Sequence, residues 1–172
     1  MLSEKINKVL NNQIKIEAES SQAYLAMACW ADTCGYEGAA QFLFEHSDEE
    51  RQHMLKLIHF VNTRGGNVEI FELSKPKGNF ENMKELFEAL LEHEVMVSEN
   101  INNLVAVTFE EKDFATHNFL QWYVSEQIEE EALARSILDK MALIGETENG
   151  LYLIDNELKA LTTGATPSGL AQ

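Results

Sequence analysis

Glu50 and His53, in the run Glu49-Glu50-Arg51-Gln52-His53, are three residues apart inside a long amphipathic stretch. On a helix of 3.6 residues per turn they are separated by about 60° and can reach one bound cation together. Glu-x-x-His by itself is weak evidence, because acidic helices contain it by chance. Here the pair shares its face with Phe42, Leu43, Leu57, Phe60 and Val61, which should be the buried face. A charged group on an apolar stripe is costly unless something compensates it. The same anomaly recurs at Glu17, at Glu94, and at Gln127 with Glu130, each on an otherwise apolar or aromatic stripe.

Four helices must position these residues. Ser3 can cap a first helix that runs to about Cys34 and stops at Gly35, with Ile6, Leu10, Glu17, Tyr24, Ala28 and Ala31 within about 40° of one line. A second runs from about Glu37 to Arg64, before Gly65-Gly66. A third starts near Phe80 after an Asn79 cap and turns Met83, Phe87, Leu90, Glu94, Val97 and Ile101 inward. The fourth follows Asp113 and ends near Ile144, with Leu120, Tyr123, Gln127, Glu130, Ala134, Ile137 and Met141 inside. A short fifth helix is expected from Glu148 to Thr162. The domain then closes at residue 163, and 164–172 form a loose tail. Three connections are short, as between packed neighbours. The other, Gly66 to Lys77, spans about 40 Å when extended, the length of a 28-residue helix. The expected fold is therefore all-α, a four-helix bundle with one long crossover and a short fifth helix.

The predicted helix midpoints fall near residues 19, 51, 94 and 128, so Glu17, Glu50, His53, Glu94, Gln127 and Glu130 come level in the centre of the bundle. Burying several ionised carboxylates without counter-charge costs several kcal/mol apiece. No Lys or Arg lies on the inward stripes, and Arg51 points about 100° away from Glu50. The remaining solutions are raised pKa values or bound metal ions. One histidine with about four carboxylates suits two hard or borderline divalent ions such as iron or manganese, with Glu50 placed to bridge them; structural zinc would prefer Cys and more His. A single glutamate at a core position is commonly a snorkelling side chain, but four such coincidences at one height are not expected. Tyr24, two turns from Glu17, is either part of the site or ordinary core with its hydroxyl bonded locally. Glu49, Glu126 and Glu129 form either an adjoining cation position or a solvated acidic face. Trp122 and Tyr123 read as packing residues, and His46, His59, His93 and His117 as structural or exposed.

With 172 residues, 45% hydrophobic, only two prolines and nine glycines, the chain fits a single helical domain. A formal charge of −16 disfavours nucleic acid or an anionic membrane as partner and suits cations. No leader pattern opens the chain and no apolar run reaches membrane-spanning length. Cys29 and Cys34 are about 140° apart on one helix and poorly placed to bridge, which points to a cytoplasmic protein with free thiols.

Glu17 with Tyr24, Glu49-Glu50-x-x-His53, Glu94, and Asn118-Phe-Leu-Gln-Trp-Tyr-Val-Ser-Glu-Gln127 followed by Glu129-Glu130 resemble the bacterial non-haem ferritins over nearly the whole chain. The resemblance implies a ferroxidase centre, with Glu17, Glu50 and His53 at one iron and Glu50, Glu94 and Glu130 at the second. Tyr24 and Gln127 would neighbour the ligands, and Glu49, Glu126, Glu129 and Glu130 match a third iron position. It further implies a 24-subunit shell in which iron(II) is oxidised by dioxygen or hydrogen peroxide and stored as ferric mineral. Three residues after Glu130 comes Leu133, so the second Glu-x-x-His of bacterioferritins and rubrerythrins is missing, as is any Cys-x-x-Cys rubredoxin module. Arg51 stands where bacterioferritins carry a haem-ligating Met, so no haem is expected. His117 and Leu120 stand where animal ferritins carry an acidic channel pair, so that route is not carried over.

Overall fold

The computed structural model describes residues 1–145 and 147–164. It contains α1 (Glu4–Thr33), α2 (Glu37–Thr63), α3 (Met83–Glu110), α4 (Phe114–Ile144) and α5 (Glu148–Gly164). The expected tail lies outside the described residues, apart from Gly164.

Local chemistry fixes the ends. The Ser3 hydroxyl accepts the Ile6 N–H at the start of α1, and Asp113 accepts that of Thr116 at the start of α4. Gly35 (φ 82°) and Gly65 (φ 70°) take the left-handed turns that end α1 and α2. The expected Asn79 cap is corrected. Asn82 caps α3 by accepting the Glu85 N–H at 2.8 Å, so the helix starts three residues beyond Phe80. The Glu85 carboxylate reaches back to the Glu81 N–H, a capping-box arrangement that Asn79 could not form with the residue three on. Phe80 is instead buried outside the helix, edge-on to Trp30 at 5.6 Å.

α1 packs most closely on α2, and α3 on α4, giving two helical hairpins. The crossover joins them by running along α1. Asn7 Oδ1 accepts from Asn67 N (2.8 Å), Asn11 Oδ1 from Glu69 N (2.7 Å), and Glu19 Oε1 from Ser74 N (3.4 Å). Advancing seven residues against twelve of α1 is what an extended chain beside a helix requires. α3 therefore begins beside the end of α1 and finishes beside its start, where Lys5 meets Glu110 at 3.1 Å.

The core is divided. One apolar cluster gathers Tyr24, Ala28, Leu43, Phe87, Ile137 and Met141 at the α5 end. A second gathers Ile6, Leu10, Leu57, Val61, Ile101 and Leu120 at the other. Between them lies a buried layer containing Gln13, Glu17, Ser20, Glu50, His53, Glu94 and Gln127.

Tyr36, which precedes α2, supplies no side-chain cap. Asp155 of α5 supplies it instead, its carboxylate accepting the N–H groups of Gly38 (3.1 Å) and Ala39 (2.9 Å). The close approach depends on Gly38, where a Cβ would fall 1.8 Å from the Asp155 carbonyl oxygen. Gly38→Ala is therefore expected to displace α5 and cost about 1–3 kcal/mol. A lowered thermal midpoint with faster protease cleavage in α5 would show it, and an unchanged melting curve and digest would refute the docking.

Candidate metal centre

Each helix delivers its polar residue to the central layer because that residue occupies a position otherwise taken by core side chains. On α1, the Glu17 side chain is 2% exposed and lies with its Oε2 3.9 Å from His53 Nδ1. Its other oxygen accepts from Gln13 Nε2 at 2.8 Å, one turn earlier. On α2, Glu50 Oε2 lies 3.6 Å from the same His53 nitrogen. Glu17, Glu50 and His53 can each offer one donor atom within 4.8 Å of the others. The Tyr123 hydroxyl donates to the His53 carbonyl at 2.7 Å, tying α4 to α2 at the level of this ligand set. The Trp122 ring meets the imidazole edge-on at 5.1 Å.

The second hairpin supplies the opposite wall. Glu94 on α3 accepts from the Tyr24 hydroxyl on one oxygen and from Gln127 Nε2 on the other at 3.0 Å. Tyr24 is thus part of the layer, not ordinary core bonded to its own helix. The Glu130 side chain, 11% exposed, points to the seam between α2 and α4, where His46 Nε2 lies 3.6 Å away.

Burial pushes the Glu17 carboxyl well above its usual range, and the facing Glu50 adds to the shift. Burial also raises Glu50 to about 7, opposed by the hydrogen bond it receives from Glu17. Glu94 rises to about 7 for the same reason, opposed by Gln127. Glu130 rises to about 9, from burial first and then from repulsion by Glu94 and Glu50. Among the described residues no Lys or Arg forms an ion pair with Glu17, Glu50 or Glu94, yet no buried side-chain polar atom lacks a hydrogen-bond partner. Either a retained proton or a bound cation can offset the burial of these acids. Buried oxygen donors with one imidazole and no resident cation are a donor set that divalent first-row ions fit.

Outside the pocket the expectations are partly redrawn. Of Glu49, Glu126, Glu129 and Glu130, Glu49 and Glu130 fall in one group of close donors among the described residues, with His46 as its third member; Glu126 adjoins Glu49 and Glu129 electrostatically. Glu126 is half-buried and Glu129 exposed. His46, expected to be structural or exposed, is not exposed: its Nδ1 bonds the Phe42 carbonyl at 2.9 Å while Nε2 faces Glu130. Its position one turn before Glu50 was the available signal. His93 is structural, bonded to Ser20 Oγ at 2.8 Å and edge-on to Tyr24. Gln13, which donates to Glu17, is a buried polar residue on the same α1 stripe as Leu10 and Glu17, and that position was the signal; Ser98, which accepts from Gln127, lies at the edge of its stripe and carries none.

An antiparallel helical-hairpin pair joined by a long crossover, with carboxylates and one histidine in its central layer, is the architecture of the ferritin-like four-helix bundles, with side chains that could hold a metal ion. A model of the ferritin-like domain matches residues 7–144. The chain is 48% identical to a probable bacterial non-haem ferritin-like protein of Haemophilus influenzae, over 96% of this chain and 100% of that one. It is 46% identical to the bacterial non-haem ferritin of Campylobacter jejuni, over 92% and 95%. Among solved structures, an open-pore ferritin from Archaeoglobus fulgidus superposes with a TM-score of 0.90 at 42% identity, covering 92% of this chain and 96% of that one. The chain belongs to the ferritin family, in the company of the bacterial non-haem ferritins.

Proposed function

We propose that this chain is an iron-storage protein that oxidises iron(II) in its own central layer. Glu17, Glu50 and His53 hold one iron(II), and Glu50, Glu94 and Glu130 the second, with Glu50 between them. Tyr24 and Gln127 fix both oxygens of Glu94, and Tyr123 anchors the backbone of His53. The observation that carries the reading is the convergence of buried Glu17, Glu50 and Glu94 and nearly buried Glu130 from the four helices, with no lysine or arginine paired to Glu17, Glu50 or Glu94 among the described residues.

Two irons in adjacent positions give up one electron each. Dioxygen, accepting two electrons and two protons, leaves as hydrogen peroxide, or peroxide itself serves as oxidant. The protons displaced from the raised carboxyls when cations enter are available locally for that reduction. Carboxylates are hard anionic donors that favour the ferric product, and their variable denticity lets ferric ions leave toward a mineral. Glu49, Glu126, Glu129 and Glu130 supply an adjoining third position, with His46 beside it.

Storage requires a closed container, and the reading includes a cytoplasmic 24-subunit shell without haem. A single subunit leaves Ile70 80%, Leu143 86%, Phe109 64% and Phe114 62% exposed, apolar surface that an assembly would cover. Among the described residues no helix is long and apolar enough to cross a membrane.

Iron-edge anomalous diffraction from crystals soaked anaerobically in iron(II) tests the site, and dioxygen consumption on mixing tests the chemistry. The expected results are two iron peaks per chain at the named ligands and about two irons oxidised per chain in the first rapid phase. Peaks without rapid oxidation would reduce the protein to a passive store, and no peaks in the layer would sink the reading.

A further inference from the structure

One cation near the acidic seam between α2 and α4 is unused by the chemistry above. Lys56 lies one turn beyond His53 on α2, and its Nζ stands 3.1 Å over the centre of the Trp122 ring and 5.9 Å from that of Tyr123. The same indole adjoins the pocket, since Trp122 meets the His53 ring edge-on. Glu126 follows Trp122 by one helical turn, so ammonium and carboxylate share one stretch of the seam. Each feels the other: Glu126 helps to keep Lys56 charged although burial opposes it, and Lys56 offsets the repulsion of Glu126 by Glu129 and Glu49. The other basic side chains of α2 and α4 near the seam are committed elsewhere. Arg64 grips Asp113 at the far end at 3.1 Å, Arg135 pairs with Glu131, and Arg51 is exposed.

Glu130, one turn beyond Glu126 on the same helix, joins His46 and Glu49 in a group of three donors, whereas Glu126 does not. A flat aromatic face with a carboxylate nearby is a seat for an ammonium group. We infer that Lys56 is a built-in competitor at the adjoining cation position: seated on Trp122, its ammonium draws Glu126 away from His46, Glu49 and Glu130, and a divalent cation completes that position only by recapturing the Glu126 carboxylate. The inference rests on the adjoining position proposed above. It makes Lys56 the residue that keeps this position weaker than the central pair, so that cations pass through it and do not lodge.

Calorimetric titration of redox-inert zinc(II) into the metal-free assembled protein tests it. The wild-type chain is expected to show two tight sites and one weaker one. Lys56→Met keeps a side chain that packs on an aromatic ring but removes the charge. It should tighten the weaker class on the order of tenfold, the effect of one positive charge a few ångströms away in a half-buried site. Lys56→Arg should behave as wild type, and adding Glu126→Gln to Lys56→Met should erase the gain. A weaker class that is unchanged or loosened in Lys56→Met overturns the inference, as does a gain that survives Glu126→Gln. Two tight sites with no weaker class in either protein overturn the inference alone, whereas loss of the tight class from the wild type overturns the central pocket as well.

Discussion

Replacing Glu50 with alanine is expected to slow aerobic iron(II) oxidation by on the order of 100-fold or more, while the helices and the assembly survive. Glu50 lies 3.6 Å from His53, faces Glu17 in the same group of donors, and acts electrostatically on Glu130 of the other hairpin. In the proposed site, removing it would leave each iron short of a donor and take away the group between the two. Supporting residues around metal sites already cost 10- to 100-fold when lost, and a shared ligand costs more. His53→Ala should be less severe, because it strips one iron and leaves Glu50, Glu94 and Glu130 to bind the other. The fold should tolerate both changes, since each removes a group whose burial opposes folding and the flanking apolar clusters remain. The measurement is stopped-flow ferric absorbance, with circular dichroism and particle size as controls. Wild-type rates in the two folded variants would remove Glu50 and His53 from the chemistry.

The metal-free protein should lose stability as pH rises, and divalent metal should reverse the slope. The folded-state pKa values of Glu50 and Glu94 are raised to about 7 and that of Glu130 to about 9, against an unfolded value near 4.5. A raised acid binds its proton more tightly folded than unfolded. Its contribution is therefore complete below about pH 4.5 and disappears as pH climbs through 7 toward 9. Raising a carboxyl from 4.5 to about 7 corresponds to roughly 3 kcal/mol, and because the groups interact the total is less than their sum, with a loss of at least about 3 kcal/mol expected between about pH 4.5 and pH 9. Metal ligands must be deprotonated, so zinc(II) or iron(II) binds more tightly as pH rises and stabilises the folded state more. Thermal midpoints with and without zinc(II) should diverge with pH. Parallel curves would show that the buried acids are neither protonated nor displaced by metal.

The bundle and its central layer are legible in the sequence because a glutamate on an apolar stripe has no structural reason to be there. Glu17, Glu50 and Glu94 each interrupt a run of core residues, and helical spacing gives their face. Ser3, Asp113, Gly35 and Gly65 mark helix ends by chemistry that needs no distant partner. The cap of α3 was harder: Asn79 and Asn82 both precede the apolar pattern, and only the glutamate three residues after Asn82 separates them. What the sequence hides is contact across long separations. Asp155 caps Ala39 from 116 residues away, and nothing in its neighbourhood announces that role. Lys56 on Trp122 joins two helices whose backbones stay apart, so neither residue breaks its own helical pattern. His46 reads in the sequence as structural or exposed; it bonds its own helix at Phe42, while its second nitrogen faces Glu130 of another.

The two hairpins bring different halves of the pocket. Glu17, Glu50 and His53 come from the chain before the crossover, Glu94, Gln127 and Glu130 from the chain after it. A metal pair held between them, as proposed, would act as a rivet through the waist of the bundle, fastening hairpins that the polypeptide links by an extended strap on the outside. Cargo and scaffold would then not be separable: each filling of the pocket would also clamp the molecule shut, and each release would loosen it.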